Sequence, residues 1–507
     1  MLLPGDGSDV IVPREATIIA VLSGSSEPHS DELRAMSGVA SGLEVRADAT
    51  GDLDPDVLRA AFPGQLLYAL RSSQDGGAFT GSPKERRDRL IAAAERYDVI
   101  DLEADRDLIP EILARVPPSR RRISWHGRAT DLSALRREFG RIARTPARLY
   151  LMTSAVTSVE QALAPLLLLK HLRRADVTAF GTGAAGTWSR LLAPWLGAPV
   201  IFGRPAGTAG TGMPTLDQIL TDYPFPALPP LRAVYGIIGK SVGHSFSPCV
   251  HNAAYRALGL PALYLPFPTD SLFQFWHDVA EKGLDALGLP LLGATVISPH
   301  KEAALAVAAM ASPATRLAGS ANALLARGRC WLAETTDTAG ALEALTREGV
   351  RLAGRRAAIV GCGGAGRAAA AGLLQAGAEP TLVNRGMERG RYAARLLGLP
   401  FVPLAEFSPE GFSLVVHATP ISRELPFPVE TLREDAVVLD FVYGPAHTPL
   451  IAAARSRGIV AIDGWQVLRV ELERQFSLMT GRSMPERALK AVNGFAQLTP
   501  RQSRPEE

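Results

Sequence analysis

RRAAIVGCGGAGRAAAAGLLQAG, Arg355 to Gly377, runs from an apolar strand through a glycine turn into an alanine-rich helix. Gly361, Gly363 and Gly366, with Gly364 between them, have G-x-G-x-x-G spacing. The bare spacing is a weak signal, but between a strand and a helix it marks a dinucleotide-binding turn. There the glycines allow a tight bend, and backbone N–H groups at the positive helix end approach a pyrophosphate. The next strand, EPTLVNR, ends in Asn384 and Arg385, where an NAD site offers an acid to the ribose 2′-hydroxyl. A guanidinium in place of a carboxylate favours a 2′-phosphate, so the expected cofactor is NADP, with Arg389 closing the same pocket. A Rossmann-type NADP-binding domain is therefore expected over 338–465. C-terminal helices over 466–500 and a polar tail, 501–507, follow it.

Upstream, from Thr17 to about Arg204, short β-branched or apolar runs alternate with helical stretches. The runs begin near Thr17, Gly42, Gln65, Val99, Arg121, Ala147, Asp176 and Pro199. Eight of them favour a (β/α)8 barrel over 17–221, after an extension over 1–16, in preference to an open doubly wound sheet. DYPFPALPPLR, Asp222 to Arg232, carries four prolines and is expected to be a stiff, extended connector. A second α/β pattern, 233–337, leads from it to the glycine turn as a substrate domain. The expected fold class is thus α/β: an N-terminal (β/α)8 barrel, an α/β substrate domain and a Rossmann-type domain. The 507 residues agree with about three domains of roughly 150 each.

Composition narrows the function. Apolar residues at 47% and charged residues at 21% exclude a disordered or fibrous chain. With 54 basic and 51 acidic residues there is no general field to hold nucleic acid or an anionic membrane, so the expected partner is a small-molecule substrate. Cys249, Cys330 and Cys362 form no CxxC pair, and the nine histidines show no ligand spacing with cysteines or acids. No metal and no disulfide framework is expected, and a reducing cytoplasm fits best. The N-terminus lacks a basic region and an apolar core. The most apolar run, Ala162 to Leu169, is far shorter than the ~20 residues of a membrane span.

Between Gly236 and Gly340 several residues suggest carbonyl chemistry on a hydroxylated acid. Ser245 and Ser247 could turn hydroxyls toward a carboxylate or ring hydroxyls, or cap a helix before Pro248. Lys301 follows a Pro-His step at an expected helix start, where a cation is electrostatically out of place unless an anion adjoins it. Asp337, in TTDTAG, is the candidate anion; such an ion pair would order the ammonium against substrate.

GIIGKSVGHSFSPCVHN (Gly236 to Asn252) closely resembles the substrate-binding opening of shikimate dehydrogenases. The similarity continues in family order through GATVISPHKEAAL, GSANAL, TTDTAG, GCGGAG, NR, DFVYGPAHTPL and GWQVL, about Val234 to Gly481. The resemblance implies that Lys301 and Asp337 are the catalytic pair and that Asn322 and the two serines bind substrate. Hydride would pass between NADPH and the C3 carbonyl of 3-dehydroshikimate while Lys301 moves the hydroxyl proton. Tyr443 is expected to line the site or to sit in the core. Two positions depart from the family: its N-V-T-x-P-x-K threonine is Ile297, and the pocket glutamine of its last motif is Glu471. An ionised Glu471 about 5 Å from a carboxylate would oppose it by about 3 kcal/mol at an effective dielectric of ~20, unless it is protonated, paired or turned outward. Quinate or another cyclic hydroxy acid is the close alternative substrate.

In the barrel, Glu44, Arg46, Arg71, Glu103 and His126 fall near strand ends, and Arg190 follows the seventh strand. Together they form a cationic, hydrogen-bonding cup suited to a carboxylated ring. GLEVRAD, ALRSSQDGGAF, SWHG and GTGAAGTWSR resemble type I 3-dehydroquinate dehydratases, which are fused to shikimate dehydrogenases in this order in known bifunctional enzymes. That family uses a strand-six lysine to form a Schiff base, and Leu151 occupies its place. Lys170 belongs to the opposite face and Lys84 to the third helix, and the family glutamine after strand eight is replaced near Met213. The dehydratase chemistry is therefore expected to be absent or severely weakened, leaving the barrel to bind a related acid or to serve structurally. The alternative is full bifunctionality.

Overall fold

The computed structural model describes residues 15–24, 29–208, 210, 212–328, 330–444 and 446–495. The expected extension before Glu15 and the tail 501–507 lie outside them. Eight strands form the first sheet: β1 Thr17–Leu22, β2 Gly42–Arg46, β3 Gln65–Ala69, β4 Val99–Glu103, β5 Arg121–Gly127, β6 Leu149–Ala155, β7 Val177–Thr182 and β8 Val200–Gly203. Their order is β7-β6-β5-β4-β3-β2-β1-β8, and every pairing is parallel. Short runs buried along most of their length are what strands covered on both faces require. The sheet curls into a near-barrel in which β7 and β8 are not laddered, and Phe180 and Phe202 meet across that seam at 6.1 Å between ring centroids.

The barrel interior combines an apolar cluster with a buried charge layer. Ile19, Val21, Leu151, Phe180, Val200 and Phe202 pack together with Met213 against them. Arg122 on β5 donates to Glu44 on β2 at 2.6 Å and to Asp101 on β4 at 2.7 Å, and Ser124 Oγ donates to Asp101. Burial alone would raise the Glu44 carboxyl. Arg122, Arg71 and Arg46 more than offset that and leave it below the usual carboxylate range.

Asp222–Arg232 is not the free connector that its prolines suggest. Ala16 donates its N–H to Pro226 at 2.8 Å, Trp195 stacks on Phe225 at 5.3 Å and donates Nε1 to Pro229, and Tyr223, Phe225 and Leu228 are buried. Aromatic residues between the prolines find apolar surface, so the segment packs into the first of two compact units. That unit contains the chain up to Arg232 together with Leu265–Thr269 and His277–Pro290, the latter two segments falling within the span read as substrate domain.

Two further sheets follow along the chain, their strands in the second unit except for most of β10. One contains β9 Ala233–Gly239, β10 Ala262–Pro268, β11 Leu291–Val296, β12 Met310–Ala311, β13 Ala323–Arg327 and β14 Cys330–Glu334, in the order β10-β9-β11-β13-β14-β12. The other contains β15 Arg356–Val360, β16 Glu379–Asn384, β17 Phe401–Pro403, β18 Leu414–His417, β19 Val437–Asp440 and β20 Val460–Ile462. Its order is β17-β16-β15-β18-β19-β20, all parallel, so the chain reverses direction around β15. That reversal opens the crevice in which doubly wound folds bind ligands. The helix expected from Gln466 begins at Gly464, because Asp463 and Gln466 cap each other reciprocally. A last helix, Glu486–Phe495, follows it. No helix among the described residues is long and apolar enough to cross a membrane.

Arg122→Met strands Glu44 and Asp101 without their cation, and a loss of about 3–5 kcal/mol is expected from urea unfolding of the intact chain at pH 7. Glu44 has a depressed folded pKa, so its contribution is present above the unfolded carboxylate value of about 4.3 and is lost as pH falls through the folded value. The gap between parent and variant should therefore narrow below about pH 4.

Candidate functional site

The site of the second unit is assembled from three chain segments that meet at the glycine turn. β15 ends at Val360 and the helix Gly364–Gln375 begins after Gly363. Gly361 has φ +114, and a Cβ there would lie 2.6 Å from the Ala418 carbonyl. A Cβ on Gly366 would lie 1.8 Å from the Gly361 carbonyl, so this strand-to-helix approach closes only on glycine. The space beside Gly363 is open, and no side chain caps the helix start. Its first N–H groups therefore face room for an anion. The Cys362 N–H donates to Asn384 Oδ1 at 3.1 Å, which pins the turn to the end of β16. Behind it, fully buried His417 bonds Asp440 and Thr419, and the Thr419 methyl lies 2.8 Å from the Cβ position of Gly361.

The expected ion pair is present. Lys301 Nζ lies 2.7 and 2.8 Å from the two Asp337 oxygens. The Asp337 side chain is 2% exposed and that of Lys301 20%, so the carboxylate is enclosed while the ammonium keeps an opening. The lysine stem crosses the glycine turn, since a Cβ on Gly364 would stand 3.1 Å from Lys301 Cβ and Cδ. The proton-bearing group thus lies beside the start of the dinucleotide helix. Asn322 donates Nδ2 to Asp337 and to Thr336 Oγ1, both at 3.0 Å, and accepts the Thr336 N–H at 2.7 Å.

A buried chain of hydrogen bonds continues from there. Gln475 Nε2 donates to Thr336 Oγ1, Thr295 donates to Gln475 Oε1, and the Tyr264 hydroxyl donates to Thr295 while also bonding Ser247. Ser245 Oγ accepts the Ser247 N–H at 3.2 Å, at the start of the helix Ser247–Leu258. Thr295, Gln475, Tyr264 and Thr336 carried no signal in the sequence, because their link spans four distant segments. Arg367 could have been found: a charge inside an apolar, alanine-rich helix needs a buried partner. It donates to Ala318 and Cys362 carbonyls and to Glu302.

Glu302 also takes Arg389 at 3.0 Å, so the expected pocket-closing arginine is engaged in an ion pair. Arg385 stands exposed at the end of β16 and has no such partner among the described residues. Tyr443 is 39% exposed and packs at a tilt against Trp465, 5.3 Å between ring centroids, with Phe246 beyond. Burial of the Tyr443 hydroxyl and the nearby Glu471 carboxyl push it up to about 12. Glu471 shares its surroundings with the Asp337 carboxylate. Burial first, then that carboxylate, raise it to about 8, with Lys301 opposing. Ile297 packs against Gly239 and the apolar cluster of β9, which accounts for its missing hydroxyl as a packing choice.

The barrel residues converge less completely. Glu44, Arg46, Arg71, His126 and Arg190 line one cavity of ≈ 50 Å³, together with Leu151, Thr153, Phe180, Phe202 and Met213. Glu103 is not among them: its carboxylate turns to Arg86 at 3.1 Å, Arg106 and the Ser72 N–H. Arg46 is held by Asp48 at 2.8 Å. Buried Nε atoms of Arg71 and Arg190 and His126 Nε2 have no hydrogen-bond partner among the described residues. Burial, with Arg71 beside it, pushes Arg190 down to about 9, still a cation at neutral pH. Burial and then Arg71, Arg122 and Arg46 hold His126 well below its ordinary value, so its imidazole is neutral, with Nδ1 2.7 Å from Thr153 Oγ1. Leu151, near which the family lysine's position is expected, lines the cavity. Lys170 instead donates to the Ala286 carbonyl, and Lys84 lies on the helix Pro83–Arg96, outside the cavity lining.

Similarities to known proteins run along the same two halves. Residues 18–226 match the family model described as type I 3-dehydroquinase, and 237–324 match the shikimate dehydrogenase substrate binding domain. The chloroplastic bifunctional 3-dehydroquinate dehydratase/shikimate dehydrogenase of Arabidopsis thaliana is 29% identical over 88% of this chain and 78% of its own length. The NADP(+) shikimate dehydrogenase of Syntrophobacter fumaroxidans is 33% identical over 50% of this chain and 89% of its own. Among solved structures, shikimate 5-dehydrogenase from Thermus thermophilus in complex with NADP(H) and shikimate is 30% identical. It covers 52% of this chain and 99% of its own, with a TM-score of 0.46.

Gly366→Ala is expected to remove dinucleotide binding, read by fluorescence titration, and to lower the melting temperature of the intact chain. Both colliding atoms are backbone, so the clash cannot relax by a side-chain rotation.

Proposed function

Because the chain belongs to the shikimate dehydrogenase family through its second half, we propose that it reduces 3-dehydroshikimate to shikimate, reversibly, with NADPH, beside a dehydratase-like barrel lacking imine chemistry. The Lys301–Asp337 pair against the glycine turn is the observation that carries this reading. The cofactor suits the residues present: the open uncapped helix start beyond Gly363 would take the pyrophosphate, and Arg385 the 2′-phosphate. When bound, NADPH supplies hydride chemistry.

The rest is done by the chain. Lys301 Nζ gives a proton to the substrate oxygen in reduction and takes it back in oxidation. Asp337 holds the ammonium in place and aims it, and Asn322 fixes Asp337. Ser247, anchored by Tyr264, and Ser245 at the helix start offer hydroxyls to the ring acid, and Tyr443 covers them from the adjoining segment. A cytoplasmic place and a small-molecule partner belong to the same reading. An NADPH assay across 3-dehydroshikimate, shikimate and quinate tests it, and no turnover with any of them defeats it. Lys301→Met keeps the stem over Gly364 and removes the proton donor; kcat should fall roughly 10²–10⁴-fold while cofactor affinity holds.

Full bifunctionality is supported by the match of 18–226 to the type I 3-dehydroquinase model, by the similarity to a bifunctional relative, and by Arg46, Arg71, His126 and Arg190 lining a single cavity. Against it stands Leu151, since an imine needs an amine. Borohydride reduction in the presence of 3-dehydroquinate is expected to leave the intact mass of the chain unchanged. Covalent capture on any barrel lysine would restore the bifunctional reading.

A further inference from the structure

Glu302 follows Lys301 in the turn after β11, and its carboxylate bonds two arginines of the Rossmann-type domain. Arg367 Nη2 lies 2.9 Å and Arg389 Nη2 3.0 Å from the same oxygen, Oε1. The two guanidinium groups differ in freedom. That of Arg367, on the helix Gly364–Gln375, is 1% exposed and also donates Nε to the Ala318 carbonyl, Nη1 to that of Cys362 and Nη2 to that of Gly319. It is fixed, and it fixes Glu302. The Arg389 side chain is 56% exposed, and Glu302 is its one ion-pair and hydrogen-bond partner among the described residues.

Arg389 stands in the first turn of the helix Met387–Leu397, just after β16. That strand ends at Asn384, whose Oδ1 accepts the Cys362 N–H of the glycine turn. Tyr392, three residues beyond Arg389 on the same helical face, has the Arg367 guanidinium 5.8 Å from its ring centroid. Glu302 and Arg367 therefore meet the face of this helix that carries Arg389. Of the two arginines read from the sequence as facing a 2′-phosphate, one is held by a carboxylate and the other, Arg385, stands exposed with no such partner among the described residues. A guanidinium already paired meets a phosphate with its charge cancelled, and the carboxylate that cancels it repels the same phosphate. An exposed ion pair adds little to stability, so the consequence of this one lies in what the neighbouring anion feels.

We propose that Glu302 is a specificity-determining residue of the cofactor site: by holding Arg389 it withdraws one of two cations from the 2′-phosphate and leaves the discrimination between NADP and NAD to Arg385. The proposal rests on the NADP reading above and concerns only the phosphate that distinguishes the two dinucleotides. The site is accordingly less exacting for NADP than its pair of arginines implies.

Dissociation constants for NADP and NAD, read by fluorescence titration of the intact chain without substrate, test it. Glu302→Gln keeps an oxygen for Arg367 and frees the charge of Arg389, so NADP should bind about fivefold more tightly, the scale of one exposed ion pair, with NAD unchanged. Adding Arg389→Ala to Glu302→Gln should remove that gain. In the parent, Arg389→Ala should leave NADP affinity within about twofold, whereas Arg385→Ala should lower it about tenfold or more. An NADP-to-NAD affinity ratio that Glu302→Gln leaves unchanged or lowers overturns the proposal. So does an Arg389→Ala loss equal to that of Arg385→Ala, a comparison that leaves the partner of buried Arg367 in place and holds even where Glu302→Gln does not fold. A parent that binds neither dinucleotide defeats the cofactor reading and the proposal with it; binding of both with an indifferent Glu302→Gln defeats the proposal alone.

Discussion

A lysine ammonium held between both oxygens of an enclosed carboxylate organises the second half of this protein. Lys301 comes from the turn after β11, Asp337 from the start of a helix after β14, and the lysine stem crosses Gly364 at the start of a third element. Removing such a pair from water costs several kcal/mol per ion, and the mutual attraction only roughly repays it, so the contact is poor evidence of a gain in stability. Its value is positional. Asn322 ties Asp337 to Thr336, and from Thr336 the hydrogen bonds run through Gln475, Thr295 and Tyr264 to Ser247. A change at any of these polar links would leave a buried group unpaired, which holds Lys301 and Ser247 in one geometry.

The barrel solves a different electrostatic problem. Glu44, Asp101 and Arg122 neutralise one another in the interior, while Arg71 and Arg190 retain buried Nε atoms without protein acceptors. Arg190 lies 4.1 Å above the Phe180 ring, which partly offsets its desolvation. Beside these cations Leu151 joins Val21, Phe180 and Phe202, with Met213 against them. Cations and a neutral imidazole thus line a cavity whose wall is otherwise largely aliphatic and aromatic.

Much of this was legible in local sequence. The eight strand starts, the glycine turn and the pairing of Lys301 with Asp337 each rest on signals within a few residues: periodicity, a strand followed by glycines, and a cation at a helix start that demands an anion. Two local readings were displaced by partners that local sequence does not reveal. Arg389 turned to Glu302, 87 residues away, and Glu103 turned to Arg86 and the Ser72 N–H. The proline-rich stretch read as a connector because proline stiffens a chain, yet its aromatic residues had Trp195 to cover them.

The sequence by itself determined which elements form and which residue types arrive at the strand and helix ends, because propensity, glycine geometry and hydrophobic period act over a few neighbouring positions. Only the tertiary structure decided charge. The Glu471 carboxyl is raised by burial over Gly340 and by Asp337, 134 residues away in sequence by their numbering. Protonation is set by burial and by the nearest charges, and both are properties of packing between distant segments.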